Sequence, residues 1–196
     1  MKKLIIPGEL LFPFEQKGEF FYCEEGKTYS CVVGIFDTDR KVLTPLESIY
    51  TPKPMDKVIG IVTEVRFVNY IIDINSPFEG VAFSKFIRFD LNVGDIVEAT
   101  VKNIEGSVVV LQDIKRLVGG KLVEIKPSKI PRVIGKKGSM QKVIEEATKT
   151  KMVIGSNGRI WIKGENIAKA TKAIKKIEKE AHSSGLTEKI INFLKE

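Results

Sequence analysis

A chain of 196 residues with 43% hydrophobic and 29% charged side chains has the make-up of a folded protein with room for more than one core. Its formal net charge of +7 is unevenly spread: residues 1–55 carry 7 basic and 8 acidic side chains, residues 56–116 carry 7 and 9, and residues 117–196 carry 18 and 8. Two cysteines and one histidine are too few for a self-contained zinc site, and no apolar run is long enough to span a bilayer, so the expectation is a cytoplasmic protein whose C-terminal third attracts a polyanion.

The chain opens on a short apolar run, Leu4-Ile5-Ile6, which Pro7-Gly8-Glu9 ends well short of a signal-peptide core. Residues 1–55 then show short β-prone stretches. Val32, Val33, Ile35 and Phe36 form one, Asp37-Thr38-Asp39-Arg40 a turn, and Lys41-Val42-Leu43 the return. Cys23 and Cys31 fit two packed thiols in a small β domain, with a disulfide as the alternative. Pro52-Lys53-Pro54 interrupts both helix and ladder and marks a boundary.

Residues 56–116 contain five short strand candidates: Val58–Val62, Tyr70–Ile74, Val81–Phe83, Ile96–Val101 and Val108–Leu111. So many short strands in so short a span predict a small closed barrel, because closure removes exposed edges.

After residue 117 the pattern changes. Lys121–Ile125 is a strand candidate, and Ser128 to Ile134 a short helix with Ser128 as its cap. Gly135-Lys136-Lys137-Gly138 breaks that helix, and Ser139 caps a second one over Met140 to Lys149. Met152–Ile154 and Arg159–Ile162 flank Gly155-Ser156-Asn157-Gly158, where Asn-Gly is a strong hairpin signal. Ile167, Ala170, Ile174, Ile177 and Ala181 repeat at helical spacing; Gly185 stops that helix, and Leu186 to Leu194 forms the last one.

Strand, helix, Gly-x-x-Gly, helix, strand, strand, helix is the order of a type I KH domain, and Val133-Ile134-Gly135-Lys136-Lys137-Gly138 resembles the KH signature. Glycines let the loop's main chain approach phosphate, the following helix N-terminus favours an anion, and Lys136 and Lys137 add charge. Ile130, Val133, Ile134 and Val153 are candidates for the floor of a base groove. Residues 56–116 resemble an S-one-type OB barrel through Gly60-Ile61-Val62, Gly80-Val81 and Val93-Gly94-Asp95-Ile96-Val97. Such barrels stack bases on aromatics and hold phosphates with nearby cations. The candidates are Phe67, Tyr70 and Phe83, with Arg66, Lys85 and Arg88. The family often has Phe-Gly where this chain has Phe67-Val68-Asn69, and a histidine where Phe83 stands.

As a whole the chain resembles the RNA-binding cap subunits of the archaeal exosome, through Ile6-Pro7-Gly8-Glu9, Ile72–Pro77, Pro131–Met140 and Asn157–Ile162. The resemblance implies a multidomain protein, β then α+β: an N-terminal β domain over 1–55 that docks on a hexameric ring of RNase-PH-type subunits, an S-one-type barrel over 56–116, and a KH domain with a C-terminal helix over 117–196. Three copies would surround the entry pore, catch single-stranded RNA and pass its 3′ end inward. The residues implied at RNA are Gly135, Lys136, Lys137 and Gly138 on the backbone, with Ile134 beside them; Arg132 and Arg159 are each either a phosphate contact or a snorkelling surface arginine. Trp161 is expected in the core. No Ser–His–Asp or Cys–His set can be assembled, His182 stands alone, and Glu145-Glu146 and Asp37–Asp39 have the look of surface pairs, so no catalysis, cofactor or metal is expected. A free-standing RNA chaperone or translation-associated factor with the same modules is the alternative.

Overall fold

A computed structural model describes residues 2–16, 18, 20–46, 49–181 and 185–195, without the side chains of residues 2, 44 and 195. His182 lies outside the described residues. The chain divides into two compact units, Met1–Ser48 and Ile49–Glu196.

The first unit holds two three-stranded antiparallel sheets. One joins β1 (Lys2–Ile5), β5 (Gly34–Asp37) and β6 (Val42–Pro45); the other joins β2 (Leu10–Phe12), β4 (Lys27–Ser30) and β3 (Phe21–Glu24). Asp37 makes the expected turn: its carboxylate accepts the backbone N–H groups of Asp39 and Arg40 at 3.1 and 3.2 Å. Ile5, Phe12, Phe36 and Leu43 form the core, with the Phe12 and Phe36 rings edge to face at 5.4 Å. Neither thiol is packed. Cys23 and Cys31 are exposed and unpaired, Cys23 because it sits on edge strand β3, whose last three residues all face outward.

In the second unit, β7 (Lys57–Val65), β8 (Asn69–Asp73), β9 (Glu79–Phe83), β10 (Ile96–Glu105) and β11 (Val108–Leu117) close into a barrel. Neighbours are antiparallel except β9 and β11, and β7 pairs with β10 to shut the ring. Valines and isoleucines fill it, including Val58, Val62, Ile72, Val97 and Val109. Gly80 is required by closure, since a Cβ there would lie 2.6 Å from the Ile72 carbonyl oxygen and 2.9 Å from Leu111 Cδ1. The barrel unit begins before the expected boundary at residue 55. Tyr50 is buried in its core and donates its hydroxyl to Asp56 at 2.8 Å.

β12 (Lys121–Glu124), β14 (Arg159–Gly164) and β13 (Thr150–Ile154) then form an antiparallel sheet in that spatial order. It packs with α1 (Ile130–Ile134), α2 (Ser139–Thr148), α3 (Ile167–Glu180) and α4 (Leu186–Lys195) around Val133, Ile144, Ile160, Ile162, Ile174 and Ile190. This is the type I KH arrangement. Trp161 is 7% exposed, as expected. Ser128 does not cap α1: it lies within a 3-10 turn, Pro127–Lys129, and Lys129 precedes the helix without a side-chain cap. Ser139 is the first residue of α2 and not its cap, which is Gly138.

Candidate nucleic-acid interface

The Gly-x-x-Gly segment sits between α1 and α2, as the motif requires. Gly135 has φ 74° and ψ 178°, and a Cβ there would lie 2.7 Å from both Met140 Cβ and Met140 N. Only glycine fits that conformation and that contact. Lys137 (φ 53°, ψ 32°) and Gly138 (φ 78°) follow in left-handed geometry, which turns the chain into α2. For a lysine this conformation costs roughly 1–2 kcal/mol. Among the described residues no side chain caps α2, so its N-terminal amides and dipole stay available to an anion beside the exposed Lys136 and Lys137. Arg132 is exposed on α1, one turn before the loop.

The apolar floor is narrower than expected. Ile130 and Val133 are fully committed to the KH core, because α1 is one short turn-and-a-half whose inward face they make. Ile134 and Val153 remain half-buried. Edge strand β13 is partly covered by α2: Glu145 accepts the Met152 N–H at 2.7 Å, and Gln141 donates to the Met152 carbonyl at 3.2 Å. Glu145 therefore ties helix to sheet and is more than a surface acid.

On the barrel, Phe83 and Lys85 line a cavity of about 560 Å³ together with Phe86, Lys102 and Gln112. Lys85 Nζ lies 4.9 Å from the Phe86 ring centroid and 6.0 Å from that of Phe83, and Lys102 Nζ lies 6.0 Å from Phe86. Rings interleaved with ammonium groups are the equipment for stacking a base and holding its phosphate. Phe86 could have been found in the sequence, since Phe83-Ser84-Lys85-Phe86-Ile87-Arg88-Phe89 alternates aromatic and basic residues. Lys102 and Gln112 leave no local signal, because strand pairing alone brings β10 and β11 to this wall. Phe67 stands wholly exposed at the β7–β8 turn, beside Arg66, whose guanidinium is held by the Glu64 carboxylate at 2.7 and 2.9 Å. Arg88 is exposed after β9 but does not line the cavity.

Two of the expected RNA contacts are corrected. Tyr70 is 6% exposed inside the barrel, on a strand whose three central residues are all buried, so its ring is not a stacking surface. Arg159 is 4% exposed in the seam between barrel and KH sheet. Its guanidinium donates to the Asp73 carbonyl and carboxylate, both at 2.6 Å, and to Glu124 at 2.8 Å, and burial in the seam keeps it from phosphate. Burial opposes the charge on Asp73, but the Arg159 guanidinium and the Asn75 N–H outweigh it and hold the carboxyl below its ordinary value.

Asn157 belongs to the same seam. Its side chain is completely buried, donates to the carbonyls of Ile59 and Ile74 at 2.8 Å each, and accepts the Ile59 N–H at 3.2 Å. Asn75 donates to the Asn157 carbonyl at 2.8 Å, and the Ser156 N–H to the Lys57 carbonyl at 2.8 Å. The β13–β14 hairpin is thus pegged into the ends of β7 and β8, which fixes the Gly-x-x-Gly loop relative to the barrel.

Comparison with known proteins agrees with this architecture. A KH-domain family model matches residues 120–168. The chain is 39% identical to exosome complex component Rrp4 of Methanosarcina barkeri, over 99% of this chain and 82% of that protein. It is 41% identical to the protein of the same name from Methanobrevibacter smithii, over 98% of this chain and 71% of that one. Among solved structures, a "putative exosome complex RNA-binding protein" superposes with a TM-score of 0.69 at 38% identity, covering 76% of this chain and 96% of that one.

Proposed function

The chain belongs to the exosome complex component Rrp4 family, and from that membership we propose that it is a non-catalytic RNA-binding cap subunit of the exosome. It captures single-stranded RNA and delivers the 3′ end to a hexameric ring of RNase-PH-type subunits for 3′-to-5′ degradation. Three copies sit on the ring, with the N-terminal residues docking and the barrels facing the pore. The setting is the cytoplasm, and neither cofactor nor metal takes part.

One observation carries the RNA-binding part: two exposed lysines in a strained glycine loop, set over a helix N-terminus that no side chain caps among the described residues. Gly135, Lys136, Lys137 and Gly138 hold the RNA backbone, Arg132 takes a flanking phosphate, and Ile134 touches a base. On the barrel, Phe83 and Lys85 receive a nucleotide in their cavity, while Phe67 and Arg88 make outlying contacts.

The test is reconstitution. The purified chain should co-elute with an RNase-PH-type ring, leave labelled RNA intact by itself and accelerate decay when bound to the ring. Lys136→Asp/Lys137→Asp should still join the ring but lose most of the acceleration. A chain that binds RNA yet ignores the ring would instead be a free-standing RNA-binding factor.

A further inference from the structure

α3 buries Ala170, Ala173, Ile174 and Ile177 against the KH sheet and α2. Its outer face carries Lys169, Lys172, Lys176 and Lys179, which at steps of three and four share one side of the helix over about 15 Å. Solvation alone would account for such a stripe on an isolated helix, but an aromatic ring is set in its middle. Phe193 of α4 stands half-buried against the KH core, with Lys176 Nζ 5.0 Å from its ring centroid. Three adjoining hollows of about 320, 360 and 440 Å³ all have Phe193 in their walls, and the lysines of α3 and Lys189 of α4 surround them.

The acids nearby pair only part of this trough. Glu178 is turned toward Lys175 and the Lys126 N–H. Glu180 lies 3.9 Å from Lys176 and 4.0 Å from Lys189. Lys169, Lys172 and Lys179 have no acidic partner among the described residues. None of these residues belongs to the Gly-x-x-Gly loop, its flanking helices or the barrel cavity.

We infer that the α3–α4 face is a second single-stranded RNA site, in which a base stacks on Phe193 while the lysines on either side hold successive phosphates. The inference takes its ligand class from the proposed function. The ring decides for RNA over an acidic protein segment: carboxylates would use the lysines but carry no extended aromatic face to stack on the phenyl ring.

The experiment titrates the full chain with a long labelled oligouridylate at several salt concentrations. Lys172→Ala/Lys179→Ala removes two phosphate contacts and should lower the salt slope by about 1.4. Phe193→Leu keeps the apolar volume but removes the ring, and should weaken binding about fivefold or more. Removing two lysines elsewhere, Lys27→Ala/Lys41→Ala, should leave the slope unchanged. The inference falls if the α3 variant matches that control, if Phe193→Leu binds like the parent, or if polyglutamate competes as well as RNA. In each of those cases binding that still depends on Lys136 and Lys137 leaves the proposed function standing. A parent chain that binds no RNA removes both.

Discussion

Lys137 is the residue whose two properties pull in opposite directions. Its left-handed backbone disfavours a side chain, while its exposed ammonium stands beside the N-terminus of α2. Lys137→Gly should therefore raise stability by about 1 kcal/mol in thermal unfolding while lowering RNA affinity several-fold. A drop in both would mean that the lysine serves the fold. Asn157 shows the reverse case of a residue that serves the fold alone. Replacing it with alanine leaves the Ile59 N–H and the Ile59 and Ile74 carbonyls buried without partners, which should cost on the order of 3 kcal/mol in urea unfolding. The sequence marks Asn157 as a turn residue because Asn-Gly is a local pattern. Its partner Ile59 lies 98 positions away, a distance across which no periodicity carries information. Arg159 was hidden in the same way: an arginine in a strongly basic third looks like a phosphate ligand until its acids arrive from two other strands.

At the scale of elements, the five barrel strands and the KH order of strands and helices were legible, because β-prone runs and helical spacing depend only on neighbours along the chain. What could not be read was which flank of a strand another element covers. β8 has Tyr70, Ile71 and Ile72 buried in succession, so its tyrosine turned from a candidate platform into core. The seam between β8 and the KH sheet also carries a pH dependence. Asp73 has a lower pKa folded than unfolded, so its ionised form favours the native state. That contribution is complete above about pH 4, the ordinary carboxyl range, and disappears as pH falls through the lower folded value. Asp73→Asn should accordingly be less stable than the parent at neutral pH, with the difference shrinking below about pH 4. A gap that stays constant across the acid range would place the effect elsewhere.

At the scale of the molecule, the sequence divides the chain into three, whereas packing divides it into two. The prolines near residue 54 mark a change of direction, yet Tyr50, ahead of them, is buried in the barrel. A fragment comprising 49–196 should consequently be more stable than one comprising 56–196, by roughly the 3–5 kcal/mol typical of losing a buried aromatic ring. Equal midpoints in chemical denaturation would restore the boundary at residue 55. The barrel and KH parts of the longer fragment should unfold in one transition, since each supplies hydrogen-bond partners that the other buries.

The peg at Asn157 also bears on how such a chain can change over time. OB barrels and KH domains are ordinarily modules that recombination can shuffle like beads. Here a cut between them strands the Ile59 amide and the carbonyls of Ile59, Asp73 and Ile74 on one side, and the Asn157 amide and Arg159 charge on the other. Neither half is portable alone. A grafted KH domain would have to bring an asparagine and an arginine two residues apart in its hairpin, so exchanging either domain alone should cost the fold these buried contacts.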